Sequence, residues 1–143
     1  MTKEELVEHF RKSSVLPDDW YLMDERLVRS ALYTVLPMRQ EEVVDYDAFL
    51  SGKKAIAYGF TNEKRWLKRH VEQHHGKFRF TYCAGIDIYV MSSGCCIYDL
   101  HMALEDYHRG HNLVVVSYDL FTRIFEDYFD DAKEEEIKGA VGI

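Results

Sequence analysis

Proline and cysteine are scarce in this sequence of 143 residues, which contains two prolines and three cysteines. Because three is an odd number and Cys95 and Cys96 are adjacent, the cysteines do not fit a disulfide-stabilised secreted domain and favour a reduced setting. No apolar run approaches the roughly 18 residues of a membrane span, and the N-terminal Met-Thr-Lys-Glu-Glu is unlike a signal peptide. We therefore expect a cytoplasmic protein that does not act at a membrane.

Sequence signatures of catalysis are also absent. The chain has no glycine-rich phosphate loop, no nucleophile elbow and no paired-carboxylate signature, which favours a protein that is not an enzyme. It also lacks internal repeats, low-complexity segments and Gly/Ser linkers, and both prolines lie before residue 40. At this length, we expect residues 1–143 to form a single domain.

The composition is that of a globular protein, with 47% apolar and 30% charged residues, and it excludes a largely disordered chain. Positive charge is in deficit: 18 Lys and Arg face 25 Asp and Glu, for a formal net charge of −7. Since contact with phosphates depends on positive charge, this balance disfavours a general DNA coat or a binder of anionic membranes.

Hydrophobic periodicity predicts three helices followed by alternating strands and helices. The predicted helices cover residues 2–12, 24–36, 45–52, 62–75, 99–110 and 121–138, and the predicted strands cover 53–60, 78–82, a hairpin within 86–98, and 113–117. Asp24 and Asp99 are the expected N-caps of two of these helices. We expect an α+β domain with an N-terminal helical segment and a small mixed or antiparallel sheet of about five strands.

The negative net charge conceals a basic segment. Residues 61–79 carry six Lys and Arg against two Glu, a net charge of +4, so the rest of the chain carries −11. The cations Lys64, Arg65, Lys68 and Arg69 surround Trp66 on the predicted helix. They either form a binding face for RNA, a nucleotide or an acidic protein surface, or they are the solvated side of an amphipathic helix whose Trp66 is buried. Helical geometry fits the second interpretation and leaves the first open.

The C-terminal segment is strongly acidic. Its candidate contact residues for a basic partner are Glu126, Asp127, Asp130, Asp131 and Glu134. The alternative is that these carboxylates form only a solubilising surface.

The histidines offer a weak metal-binding pattern. His101, Glu105 and His108 share one strip of a predicted helix, and such side chains bind Zn²⁺, but their spacing matches no established zinc signature. We therefore expect no cofactor and treat zinc as an alternative. His70 and His74 lie on an apolar arc, which predicts partly buried side chains whose protonation affects stability near pH 6.

The adjacent cysteines allow a thiol nucleophile with His101 or His111 as its base. The alternative is that one thiol points inward as a small core residue and the other outward.

Together these features favour a non-enzymatic module that binds a macromolecular partner, most simply a protein. Small acidic inhibitors, immunity proteins and phage anti-defence proteins have this size and charge, although no motif supports the comparison. The alternatives are a domain that binds a phosphate ligand or a metal, and RNA binding through the basic helix of residues 61–79.

Overall fold

The computed structural model describes residues 1–41, 43, 45–59, 64–92, 94–118 and 120–121. The helices and strands of this part are, in chain order, α1 (Lys3–Lys12), a 3₁₀ helix (Trp20–Leu22), α2 (Glu25–Val35), β1 (Met38–Arg39), α3 (Tyr46–Leu50), β2 (Lys54–Tyr58), α4 (Lys64–Gln73), β3 (Lys77–Arg79), β4 (Ile88–Met91), α5 (Ile97–His108) and β5 (Val114–Ser117). The predicted terminal helix lies outside the described residues beyond Phe121.

The first three helices begin where the sequence predicts. Thr2 and Glu5 form a capping box at the start of α1. The carboxylate of Asp24 accepts a hydrogen bond from the backbone N–H of Arg26 at 3.0 Å, which caps α2. Asp45 caps α3 in the same way. These local signals were sufficient because each depends on residues within one turn of the helix end.

The five described strands form one sheet in the order β1-β5-β4-β2-β3, and every neighbouring pair is parallel. The predicted α+β content and the sheet of five strands are confirmed, whereas the predicted antiparallel pairing is wrong. Parallel neighbours require a crossover connection rather than a tight turn. Helix α4 provides the crossover between β2 and β3, and α5 provides the one between β4 and β5.

The predicted hairpin within residues 86–98 is also wrong. Its first strand exists as β4, but the chain then enters α5 at Ile97 instead of returning as a strand. Cys96 is the N-cap of this helix, and Asp99, the predicted N-cap, is its third helical residue. The Asp99 carboxylate accepts a hydrogen bond from the Cys96 backbone N–H at 3.0 Å, so Asp99 still takes part in capping α5.

Helices cover both faces of the sheet. On one face, Ile56, Tyr89 and Val115 pack with α1, α2 and α5. On the other, strand residues such as Ala57 and Val90 pack with α3 and α4. Parallel strands buried on both faces are continuously apolar, which is the pattern of the three consecutive valines of β5.

The chain reverses its direction across the sheet at β2. It first moves outward through α4 to β3, then crosses to β4 on the other side of β2 and continues through α5 to β5. Because the crossovers run in opposite directions with the same hand, α4 and α5 lie on opposite faces. Ligands of such sheets bind outside the carboxyl ends of the strands, near this reversal.

No helix in the described ranges is long and apolar enough to cross a bilayer.

Candidate functional site

Helix α4 presents its cations away from the sheet. Its buried residues Leu67, His70 and Val71 face the core, and Trp66 is half-buried against the same core. Arg65 and Arg69 are exposed, and Lys64 and Lys68 are half-buried. Lys77 and Arg79, both exposed, extend this positive surface along β3. We call the six cations together with Phe80 the cationic face.

Phe80 is the aromatic member of the cationic face. It follows β3 directly, and 46% of its surface is exposed, whereas Phe78 within the strand is buried. The two rings meet edge to face with their centroids 5.4 Å apart. The predicted strand over 78–82 placed Phe80 on the buried side, and this is wrong because β3 ends at Arg79.

A groove of about 610 Å³ runs between α4 and Phe80. Its lining consists of Arg65, Lys68, Arg69, Glu72 and Phe80. The Lys68 ammonium lies 5.6 Å from the centre of the Phe80 ring, which is a cation–π contact. Within the described residues none of the six cations forms a salt bridge. The groove therefore combines exposed positive charge with an exposed aromatic ring.

His70 of α4 and His74, directly after the helix, lie behind the cationic face. His70 is only 7% exposed, and burial, together with the nearby His74, lowers its pKa to about 4. His74 lies one turn further on, and its Nδ1 is 2.6 Å from the Asp47 carboxylate. The neutral form of His70 therefore predominates at neutral pH.

Only two of the three predicted zinc ligands lie close to each other in the structure. His101 Nε2 lies 3.4 Å from the Glu105 carboxylate, so these two side chains meet. His108 instead points to the backbone carbonyl of Phe10, to which its Nε2 donates at 2.6 Å. Across the part of the chain that the structure describes, no group of three or more His, Cys, Asp or Glu side chains is arranged to hold a metal ion.

The two adjacent cysteines have opposite environments. Cys96 is exposed at the start of α5, whereas Cys95 is 1% exposed. Arg29 reaches Cys95 from α2, donating from Nη2 to its carbonyl at 2.6 Å and from Nη1 to its Sγ at 3.2 Å. Burial nevertheless raises the pKa of the Cys95 thiol, with the Arg29 contact opposing it. Cys95 is therefore a thiol held in the core, as the second interpretation of this pair expected.

His111, one of the two candidate bases for a cysteine nucleophile, is engaged elsewhere. Its Nε2 lies 3.0 Å from the Asp87 carboxylate, which in turn accepts from the backbone N–H of Lys54 at 2.9 Å. His101 is paired with Glu105, as described above. The contacts of His111 connect segments at the amino ends of the strands, and the contact of His101 lies within α5, so neither histidine is paired with a cysteine in the described contacts.

A second concavity lies at the opposite edge of the sheet, between α2 and β1. Arg26, Arg29 and Arg39 line it. None of these three arginines was a predicted site residue, although the spacing of Arg26, Ser30 and Thr34 along α2 marks a polar stripe opposite the buried residues of the helix. The acidic candidates Glu126, Asp127, Asp130, Asp131 and Glu134 lie outside the described residues.

Comparisons of the chain with models of known protein families, with curated proteins and with solved structures found no match.

Proposed function

We propose that this protein is a non-enzymatic module that binds single-stranded RNA through its cationic face. The observation that carries the proposal is the exposed ring of Phe80, which lies under Lys68 in a groove that also contains Arg65 and Arg69. Proteins that bind single strands combine cations that follow the phosphate backbone with aromatic rings on which bases stack. The groove supplies both elements within one short stretch of chain.

The charge distribution supports a single, oriented contact. Residues 61–79 have a net charge of +4 in a chain whose net charge is −7, so the rest of the chain taken as a whole, with its net charge of −11, repels a polyanion. This distribution favours RNA at the α4–β3 edge and disfavours coating of RNA by the whole molecule. It also argues against long-range, unspecific binding, since the net charge of the molecule is negative.

The acidic C-terminal segment still predicts binding to a basic protein partner. That hypothesis depends on Glu126, Asp127, Asp130, Asp131 and Glu134, which lie outside the described residues. We place RNA binding first because the cationic face lies within the described residues and has the geometry given above.

A cytoplasmic location is part of the same proposal. All three cysteines are free, and two of them are at least partly accessible, which suits a reducing compartment. RNA is also present there.

The test is fluorescence anisotropy of a labelled single-stranded RNA titrated with the full-length protein at several salt concentrations. Affinity should fall as salt rises, with a slope of about −0.7 in log K against log salt for each phosphate contact. A duplex RNA of the same sequence should bind more weakly, because its bases are not available for stacking. No affinity for the single strand at low salt would refute the proposal.

A further inference from the structure

A large cavity opens beside α2 at the carboxyl ends of β1 and β5. Its volume is about 1080 Å³, and α2, the segment around β1, Ser117 and Leu120 form its walls. A smaller cavity of about 330 Å³ shares Arg29, Tyr33, Met38 and Ser117 with it and extends to Ser92 at the end of β4. Both therefore lie at the carboxyl ends of the strands, where parallel sheets bind their ligands, and the smaller one reaches β4, the neighbour of β2 at the reversal of the chain.

The large cavity is positively charged. Arg26, Arg29 and Arg39 line it, and none of its described lining residues is acidic. Arg29 is paired with Glu25 at 3.0 Å, but Arg26 and Arg39 form no salt bridge with any described residue. The charge of these two guanidinium groups is therefore not neutralised by any described carboxylate.

Arg39 carries a specific unsatisfied group. Its Nε is buried and has no hydrogen-bond partner within the described residues. Buried donors are nearly always paired, so an unpaired one calls for an acceptor. The Arg39 guanidinium also lies 5.0 Å from the centre of the Phe49 ring, a contact that fixes the side chain in place.

Arg29 and Tyr33 give the site a rigid wall. Arg29 is held by its bonds to Glu25 and to the carbonyl of Cys95, and the Tyr33 hydroxyl lies 3.9 Å from the Cys95 Sγ. Tyr33 and Met38 line both cavities, and Met91 and Tyr118 complete the apolar part of the smaller one. The combined space has a cationic end and an apolar end.

We propose that this cavity binds a nucleoside diphosphate or a phosphate ester of similar size. Arg26 and Arg39 hold the phosphates, because guanidinium groups bind phosphate oxygens through two parallel hydrogen bonds. The smaller cavity receives the flat ring of the ligand, against Tyr33 and Met38. The site is distinct from the cationic face, since β1 and β3 are opposite edges of the sheet.

The test is isothermal titration calorimetry of the full-length protein with nucleoside diphosphates of the common bases, with pyrophosphate and the free nucleosides as separate arms. At least one diphosphate should bind at one site per chain, and pyrophosphate should compete with it. The free nucleoside should bind far more weakly, because it lacks the charge that Arg26 and Arg39 recognise.

Two variants locate the binding. Arg39→Gln and Arg26→Gln should each weaken diphosphate binding about tenfold or more, as expected for one lost charge-assisted hydrogen bond. Arg11→Gln removes the same charge from α1, away from the cavity, and should leave binding unchanged. If Arg39→Gln does not fold, Arg26→Gln decides, because Arg26 is exposed and its loss disturbs no core contact.

Two results would overturn the proposal. One is the absence of binding by every diphosphate and by pyrophosphate. The other is binding that persists in Arg39→Gln and Arg26→Gln but disappears in an Arg65→Gln/Arg69→Gln double variant, which would place the anion on the cationic face. Failure of this proposal leaves RNA binding intact, since the arginine variants of the cavity should retain wild-type RNA affinity.

Discussion

Lys68 lies over the ring of Phe80, with its ammonium nitrogen 5.6 Å from the ring centre. The contact joins the exposed side of α4 to the first residue after β3. It also keeps an aromatic ring at the surface beside the exposed guanidinium groups of Arg65 and Arg69. An exposed phenylalanine ring keeps apolar surface in contact with water, and a nucleobase is a flat group that can cover it.

Replacing the ring should therefore weaken RNA binding. Phe80→Ala should reduce the affinity for single-stranded RNA by roughly 5- to 150-fold, the cost of losing one stacked base. Phe80→Tyr retains a ring and should retain most of the affinity. Anisotropy titrations measure both, and Tyr21→Ala is the matched control because Tyr21 is an exposed aromatic outside the cationic face. Equal losses in Phe80→Ala and Tyr21→Ala would show that Phe80 has no special part.

Sequence patterns predicted the elements of this fold better than their arrangement. Asp24 and Pro37 mark the start and the end of α2, and the apolar run in Val114–Ser117 marks a central strand. Both could be predicted because helix caps and apolar runs depend on only a few consecutive residues. The parallel pairing of β4 with β5 was not predicted, because it requires α5 to begin directly after β4 and to return the chain across the sheet. Cys-Cys-Ile-Tyr alternates like a strand, and cysteine is not a preferred N-cap, so nothing local marks the helix start at Ile97.

The same distinction applies to the candidate sites. The cations of α4 were recognisable from the sequence, since their clustering is a property of consecutive residues. The exposure of Phe80 was not, because it depends on β3 ending at Arg79. The arginine-lined cavity brings Arg39 together with Arg26 and Arg29 of α2, and the parallel pairing of β1 with β5 is what places Arg39 there.

Asp106 of α5 should contribute to stability through its bond to Tyr89. Asp106 is 3% exposed, and its carboxylate accepts hydrogen bonds from the hydroxyls of Tyr89 and of Tyr82, the latter at 2.7 Å. Tyr89→Phe should lower the free energy of unfolding by about 1.5–3 kcal/mol, because it removes a buried bond to a charged group. Urea denaturation measures this loss. The matched Tyr82→Phe should cost less, since Tyr82 is only half-buried, and the reverse order would contradict the assignment.

Gly59 should tolerate no side chain. A Cβ there would lie 1.9 Å from Ser92 Oγ and 2.9 Å from the backbone nitrogen of Cys95, and its φ is +87°. Gly59→Ala should therefore destabilise the protein by about 2 kcal/mol or more. Gly110 has a similar φ of +84° with nothing within 4 Å, so Gly110→Ala should cost only about 1 kcal/mol of backbone strain. Thermal unfolding compares the two, and equal losses would rule out the steric contribution.

His70 should make stability depend on pH. Its pKa is lowered from 6.5 to about 4 in the folded protein, so the unfolded chain binds more protons between these values. The contribution of His70 to the free energy of unfolding should be nearly constant above pH 6.5. It should decrease as the pH drops toward 4, and at pH 5 the protein should be less stable than at neutral pH by roughly 2 kcal/mol.

The comparison of His70→Leu with the wild type isolates this effect. Leucine removes the titrating group while keeping an apolar side chain in the core, so the stability of His70→Leu should fall less between pH 6.5 and pH 5. His75→Asn, an exposed control on the same segment, should retain the wild-type pH dependence. Parallel pH profiles for His70→Leu and the wild type would exclude His70 as the source.

The central claim is that the cationic face binds single-stranded RNA, and the most direct measurement compares two double variants by anisotropy across salt concentrations. Arg65→Gln/Arg69→Gln should reduce RNA affinity by at least about tenfold and reduce the salt slope by about 1.4, the equivalent of two phosphate contacts. Arg11→Gln/Lys12→Gln removes the same charge from α1 and should match the wild type in both. Equal affinity and equal salt slope in the two double variants would contradict RNA binding through this face.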